Sequence, residues 1–334
     1  MKTTSAGRRE ALIRLTLALP LGAAWCASHS GRVAAQAPAR VRLLVGFPAG
    51  AGSDAIARIL AEPLREQLGV PVIVENRAGA GGQLAAQALK AAEPDGGTLF
   101  VSHDHTISIL PLFTADPGFD PAKDFVPVAG FASFVNAFAL SASTPARSFA
   151  EYVAWIKRNG GKGSVGIAAP ASVLELVVGS VADHFKLDLV AAPYRGSAPM
   201  ISDMLGGQIP AGLGSTPDFI EQHRAGKVRI VAALGPRRQP ALPDVPTFAE
   251  LGLAGFEAMP YFGVFAPAGT PPATVERLAN AVREAIARSG VRDRLTGLGL
   301  NVEFSGPAAF AKRVADYSRE WAVIAAKRGV KAVR

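Results

Sequence analysis

Two periods organise the hydrophobic positions of this chain. Short β-branched and leucine runs such as Val41–Val45 read as strands, and longer stretches with apolar residues three or four apart read as helices. After Val41–Val45, the segment Phe47-Pro48-Ala49-Gly50-Ala51-Gly52 continues neither period and reads as a turn. Ser53 and Asp54 are good N-cap residues, and Ile56, Ile59, Leu60, Leu64 and Leu68 then recur with helical spacing. The unit repeats immediately, with a strand over 70–75, a glycine-rich loop over 76–82, an alanine-rich helix over 83–92 and a third strand over 98–102. Consecutive βα units predict a parallel sheet flanked by helices, with the loops converging at the carboxyl ends of the strands.

Farther on, 125–142 is largely apolar and reads as two strands that carry the chain into a second domain. Helices over 148–158 and 172–185 each open with a capping box, Ser148 with Glu151 and Ser172 with Glu175. Strands are expected over 165–168, 189–191, 209–213 and 228–234, and helices over 200–205 and 218–224. A proline-rich connection, 236–253, leads to a strand region over 256–265 that returns to the first domain. A long helix from Thr270 to Ser289, a strand over 301–304 and a last helix, Pro307–Lys327, follow. The expected architecture is α/β with two domains, each a mostly parallel sheet flanked by helices. The first is discontinuous, 38–140 plus 258–334; the second is 141–257. Two chain crossings would form a hinge around a cleft.

Residues 1–37 read as a cleavable signal peptide. Arg8 and Arg9 precede an apolar stretch over 15–27 that is too short to span a membrane, and Ala35-Gln36-Ala37 has the small-x-small form of a cleavage site. The mature chain is expected to begin at Pro38 in the periplasm, by either the general secretory or the twin-arginine route. Cleavage removes Cys26, the one cysteine, so burial and not a disulfide must stabilise the remaining 297 residues. It also removes five basic residues and Glu10, lowering the formal charge from +8 to +4. The remaining charge is dispersed, with no lysine or arginine run, which argues against nucleic acid as a partner.

The chemistry-bearing features are few. Each glycine-rich loop precedes a helix and can offer backbone N–H groups and the positive end of a dipole to a carboxylate or phosphate. His103 and His105 would share a face of extended backbone, but no third residue with metal-ligand spacing accompanies them, so no metal is expected. Together with Asp104 they read as a strand-end loop giving polar contacts to a pocket. GxSxG, P-loop and HExxH motifs are absent, and neither glycine loop satisfies GxGxxG, which argues against an enzyme and against any cofactor.

Several long motifs, in order, resemble the Bug receptors, the exported substrate-binding receptors of tripartite tricarboxylate transporters. They are FPAGAGSDAIAR (47–58), VENRAGAGGQLAAQALKAAEPDGGTLF (74–100), FDPAKDFVPV (119–128), YRGSAPMISDMLGGQI (194–209), LPDVPTFAELG (242–252) and FGVFAPAGTP (262–271). The resemblance implies a type II-like periplasmic binding fold, a monomer that closes over a small organic acid or its amide and passes it to membrane transporter subunits. A receptor feeding a membrane sensor kinase would have the same site, and an exported enzyme acting on a small carboxylate is the further alternative.

The resemblance also implies the site. The first loop contributes Phe47, Ala49, Gly50, Gly52, Ser53 and Asp54, and Gly81, Gly82, His103, Asp104 and His105 line the same cleft. The second domain contributes Ser172, Glu175, Tyr194, Gly196, Ser197, Ala198 and Asp203. Three positions depart from the family pattern. Ala51 replaces a usual glycine, Glu175 a common histidine, and Gly214 a common acidic or amide residue. Glu175 has two readings, a helix cap closing on Ser172 or a contact to a donor on the ligand.

Overall fold

The computed structural model describes residues 38–327 with Gly329, Val330 and Ala332; the signal peptide expected over 1–37 lies outside the described residues. In chain order the first elements are β1 (Val41–Val45), α1 (Gly52–Leu68), β2 (Val72–Asn76), α2 (Gln83–Lys90) and β3 (Thr98–His103). A five-residue π turn, His105–Ile109, runs into α3 (Leu110–Phe113), followed by α4 (Pro121–Asp124) and β4 (Phe125–Ser133). Next come β5 (Asn136–Ser141), α5 (Phe149–Arg158), β6 (Lys162–Ile167), α6 (Val173–Phe185) and β7 (Asp188–Pro193). Then follow α7 (Ser197–Leu205), β8 (Ala211–Ser215), α8 (Thr216–Arg224) and β9 (Val228–Ala233). The chain ends with β10 (Tyr261–Pro267), α9 (Pro272–Ala287), α10 (Ser289–Gly297), β11 (Asn301–Ser305) and α11 (Pro307–Lys327).

These strands build two sheets, ordered β11-β4-β10-β3-β1-β2 and β7-β6-β8-β5-β9, each flanked by helices. Both sheets are mixed and not mostly parallel. The βα units give parallel pairs, β1 with β2 and β3, and β6 with β7 and β8. The strands next to the crossings, β4, β5 and β10, pair antiparallel because no helical crossover dictates their direction. The chain passes from the first sheet to the second at Phe134–Val135, so β5 belongs to the second sheet.

Register explains where a site can form. Val45 stands opposite Asn76 on β2 and Val101 on β3, so the loops after β1, β2 and β3 leave the sheet at one edge. Helix α1 buries Ile56, Ile59, Leu60 and Leu64, the stripe expected from its spacing. Each such side chain contributes roughly 1.5–3 kcal/mol on burial, which holds the start of α1 firmly over that edge. Helix α11 buries Phe310, Tyr317 and Trp321, and the Phe310 ring lies so close to Gly130 and Gly263 that a Cβ at either would strike it.

Several elements shift from their expected bounds, among them α7, which starts at Ser197, and β10, which spans Tyr261–Pro267; two further differences have a clear local cause. Helix α8 begins at Thr216, two residues early, because Pro217 sits in its first turn, where its missing N–H costs nothing. The helix expected to end at Ser289 stops at Ala287 with extended backbone at Arg288, and α10 follows. Only Val291 and Leu295 of α10 are buried, too few for a readable stripe.

Candidate functional site

A cavity lies where the two sheets' loop edges face one another. About 50 Å³ of it is open to the centres of water-sized groups, enough for a few heavy atoms beyond contact distance. From the first lobe come Phe47, Ala51, Ser53, His103, Asp104, His105 and Ile109. Phe134 and Asn136 stand at the crossing; from the second lobe come Ala168, Ala169, Ser172, Val173, Leu174, Ser197, Gly214, Ser215 and Asp218.

One wall is aromatic. Phe47 stacks on His103 with ring centres 5.1 Å apart and planes inclined by 24°. Phe134 and Phe262 meet the edge of His103 at 5.9 and 5.1 Å. His105 is buried, its Nε2 has no hydrogen-bond partner among the described residues, and its pKa falls to about 3, first through burial and then through His103. Behind it stands Gly81 at φ 66°, where a Cβ would lie 2.5 Å from His105 Nε2. Asp104 accepts from the Tyr317 hydroxyl at 2.8 Å, tying this wall to α11.

The donors at the cavity come from helix starts. Val173 and Leu174, in the first turn of α6, and Ser53, in the first turn of α1, have backbone N–H groups with no acceptor among the described residues. Ser53 is a buried residue lining the cavity, and its hydroxyl makes no hydrogen bond among the described residues. Ser172 donates its hydroxyl to the Ala169 carbonyl at 2.8 Å and leaves the α6 N–H groups uncapped.

The expected residues divide in two. Phe47, Ser53, His103, Asp104, His105, Ser172 and Ser197 line the cavity. The others support it or stand away from it. Ala49 and Gly50 are on the exposed outer turn. Gly52 and Ala198 line a neighbouring groove. Asp54 is not an N-cap: Ala51 holds that position, and the Asp54 carboxylate accepts from Gly50 N–H (3.0 Å), Asn76 Nδ2 (3.0 Å) and Arg58. Burial raises the Asp54 pKa, but the bonds from Arg58, Gly50 and Asn76 outweigh it and hold the carboxyl below its ordinary range. Gly81 and Gly82 back the His105–Thr106 turn, and the Thr106 hydroxyl donates to the Gly81 carbonyl. The Tyr194 hydroxyl donates to Asp203 at 2.8 Å, and Gly196 packs on Pro48, all outside the lining.

Glu175 also lies outside the lining. Its carboxylate accepts the Ala171 N–H at 2.9 Å, one residue earlier than the expected bond to Ser172. Its use is therefore local. We expect Glu175→Gln to leave ligand affinity and its pH dependence unchanged, with stability shifted by less than about 0.5 kcal/mol. Isothermal titration and thermal melts of the variant check this; a tenfold change in affinity would put the side chain back at the ligand.

Sequence reasoning missed Asp218. Its Oδ1 accepts from Gly52 N–H of the other lobe (3.0 Å) and from the Ser197 hydroxyl (2.5 Å). Its Oδ2 accepts from the N–H (3.0 Å) and hydroxyl (2.6 Å) of Ser215. Ser215-Thr216-Pro217-Asp218 is a capping box of the kind recognised at Ser148, and the same rule would have found it. Of the departures from the family pattern, Ala51 costs no strain, since its φ is −75°, and Gly214 opens the cavity beside Asp218 Oδ2.

Residues 56–330 match the model of the tripartite tricarboxylate transporter family receptor. The chain belongs to that family. Like its relatives, the receptor is a solute-binding protein with a two-domain α/β fold. It is 32% identical over 304 residues to Protein BugT of Bordetella pertussis, covering 88% of this chain and 91% of BugT. Periplasmic binding protein BugD superposes with a TM-score of 0.82 at 30% identity, covering 89% of the receptor and all of BugD. MatC from Rhodopseudomonas palustris, solved with bound malate, superposes at 0.77 with 30% identity, covering 85% and 98%.

Proposed function

We propose that this receptor captures a small carboxylate between its two lobes in the periplasm and presents it to the membrane subunits of a tripartite transporter. The observation that carries the reading is that two helix starts, one per lobe, line one small cavity with N–H groups and a Ser53 hydroxyl that have no partner among the described residues. Such N–H groups and the helix dipoles behind them suit a carboxylate without a basic side chain, and no lysine or arginine is among the lining residues. MatC's malate supports the same ligand class.

The lobes in this reading are 38–134 with 258–334 and 135–257. The first boundary stands six residues ahead of the one expected from sequence, because β5 pairs in the second sheet. Closure about the two crossings would bring the donors of both lobes onto one anion. Hydrogen bonds to a charged group are worth roughly 1.5–3 kcal/mol each, so three or four of them reach the −8 kcal/mol or so of a micromolar complex after the cost of closure. Binding rather than turnover is favoured because Ser172, Ser197 and Ser215 each donate to a carbonyl or carboxylate, with none activated by a histidine.

A panel of C3–C6 carboxylates tested by thermal shift and calorimetry checks the proposal. At a hundredfold excess over Kd, a true ligand stabilises the receptor by about 2.7 kcal/mol, a rise of several degrees in Tm. Mass spectrometry of small molecules released from gently purified receptor should identify a carboxylate; release of only neutral sugars or metal ions would overturn the reading.

A further inference from the structure

We propose that the cavity selects a carboxylate whose far end carries a hydrogen-bond donor, and that Asp218 excludes a second carboxylate there. This inference rests on the reading of the protein as a carboxylate receptor.

Asp218 fixes the protons around it. An ionised carboxylate only accepts and has about four acceptor sites. Here four donors fill them: Gly52 N–H and the Ser197 hydroxyl on Oδ1, Ser215 N–H and the Ser215 hydroxyl on Oδ2. Both serine protons are therefore fixed on Asp218. The Ser197 and Ser215 hydroxyls turn only lone pairs toward a ligand. Ser172 is in the same position, its proton committed to the Ala169 carbonyl.

The cavity thus has two chemically distinct regions. The starts of α6 and α1, with the Ser53 hydroxyl, can donate to a ligand anion. The Ser197, Ser215 and Asp218 side chains can only accept, and no lysine or arginine is among the lining residues; the donors beside them are the Ser197 N–H at the start of α7 and the Asn136 amide, so this region suits a group that both donates and accepts, as a primary amide does. A second ligand carboxylate would meet acceptors and a like charge in a poorly solvated space. An amide N–H, a hydroxyl or an ammonium would find partners.

Gly214 makes this region reachable. A Cβ there would lie 3.3 Å from Asp218 Oδ2 and 3.2 Å from the Phe219 ring. Glycine keeps that face of the cluster open to the cavity, where a longer side chain would cover it. Asp218 also accepts from Gly52 across the lobes, so the charge that sets selectivity is held in place by closure itself.

The test is calorimetry on matched pairs that differ only at one end: malonate with malonamate, succinate with succinamate, glutarate with glutaramate and adipate with adipamate. For the chain length that binds best, the monoamide is expected to bind at least about 30-fold tighter than the diacid. Asp218→Asn should shrink that ratio below threefold by admitting the diacid. Should this variant fail to melt cooperatively, Ser215→Ala serves instead. It keeps the N–H bond to Asp218, removes one acceptor and should weaken the monoamide five- to twentyfold with little effect on the diacid. A diacid that binds as well as its monoamide overturns this inference and leaves the carboxylate reading standing. A ratio unchanged in the folded variant also overturns it. If no member of any pair binds the folded wild-type protein, the carboxylate reading falls and this inference with it.

Discussion

Gly52→Val is expected to weaken ligand binding by more than about 100-fold, roughly 2.7 kcal/mol, while leaving the folded protein intact. Gly52 is the first residue of α1, and its backbone is not left-handed, so a valine there meets no intrinsic strain. The obstacle is the other lobe. A Cβ at this position would lie 2.9 Å from the Pro217 Cβ and 3.1 Å from the Pro217 carbonyl carbon, both on α8. Backbone at 3.1 Å cannot step aside as a flexible side chain would, so the two remaining valine carbons act as a wedge between the lobes.

The wedge touches neither core, since the clash exists only where α1 meets α8. Thermal stability without ligand should stay within about 1 kcal/mol of wild type. Ligand would still reach one lobe, but the α6 and α1 donors could no longer engage one anion together. Small-angle scattering of the variant with saturating carboxylate should show a larger radius of gyration than wild type. An affinity within threefold of wild type would mean that the ligand does not need the Gly52–Pro217 contact, and the site would have to be sought outside the cavity.

The order of the strands and longer helices was legible because those elements each obey one period, whereas the short α3 and α4 and the stripe-poor α10 were not. The stripe Ile56, Ile59, Leu60 and Leu64 is buried as its spacing demands, and the last helix buries Phe310, Tyr317 and Trp321. Mixed pairing in the sheets was not legible, because the direction of β4, β5 and β10 is decided by which sheet each strand joins, and no local residue encodes that. The site was legible as a set of loops and less so as side chains. Motif matching brought Ser53, His103 and Ser172 to the cavity, yet it also brought Asp54, Tyr194 and Glu175, whose polar atoms are spent on Gly50, Asp203 and Ala171. Motif order cannot tell a residue that lines a cavity from one that braces its wall. Asp218 illustrates the converse, since its local role as a cap was readable but its bond to Gly52, 166 residues away, is a product of the fold.

Acidification should destabilise the protein through His105 alone by about 2–3 kcal/mol between pH 7 and pH 4.5. The folded chain holds this imidazole neutral, with its pKa lowered to about 3 by burial first and by His103 second, against a weaker opposing pull from Asp104. In the unfolded chain the ring titrates near its ordinary 6.5. Between pH 6.5 and pH 3 the unfolded state therefore binds the extra proton, and stability falls as pH falls through that window; above pH 6.5 the contribution is flat. His105→Gln removes the titration, so the comparison is between urea unfolding free energies of the two proteins at pH 7 and pH 4.5. The variant should start less stable at pH 7, because the ring packs behind Phe47 and against Gly81. It should then lose about 2–3 kcal/mol less on acidification than wild type does. Equal losses in the two proteins would show that the folded state accepts the proton on His105, which would then face the ligand as an imidazolium. With the predicted difference, His105 is neutral at pH 7, and the anion is held by backbone N–H groups and the Ser53 hydroxyl instead of an imidazolium at position 105.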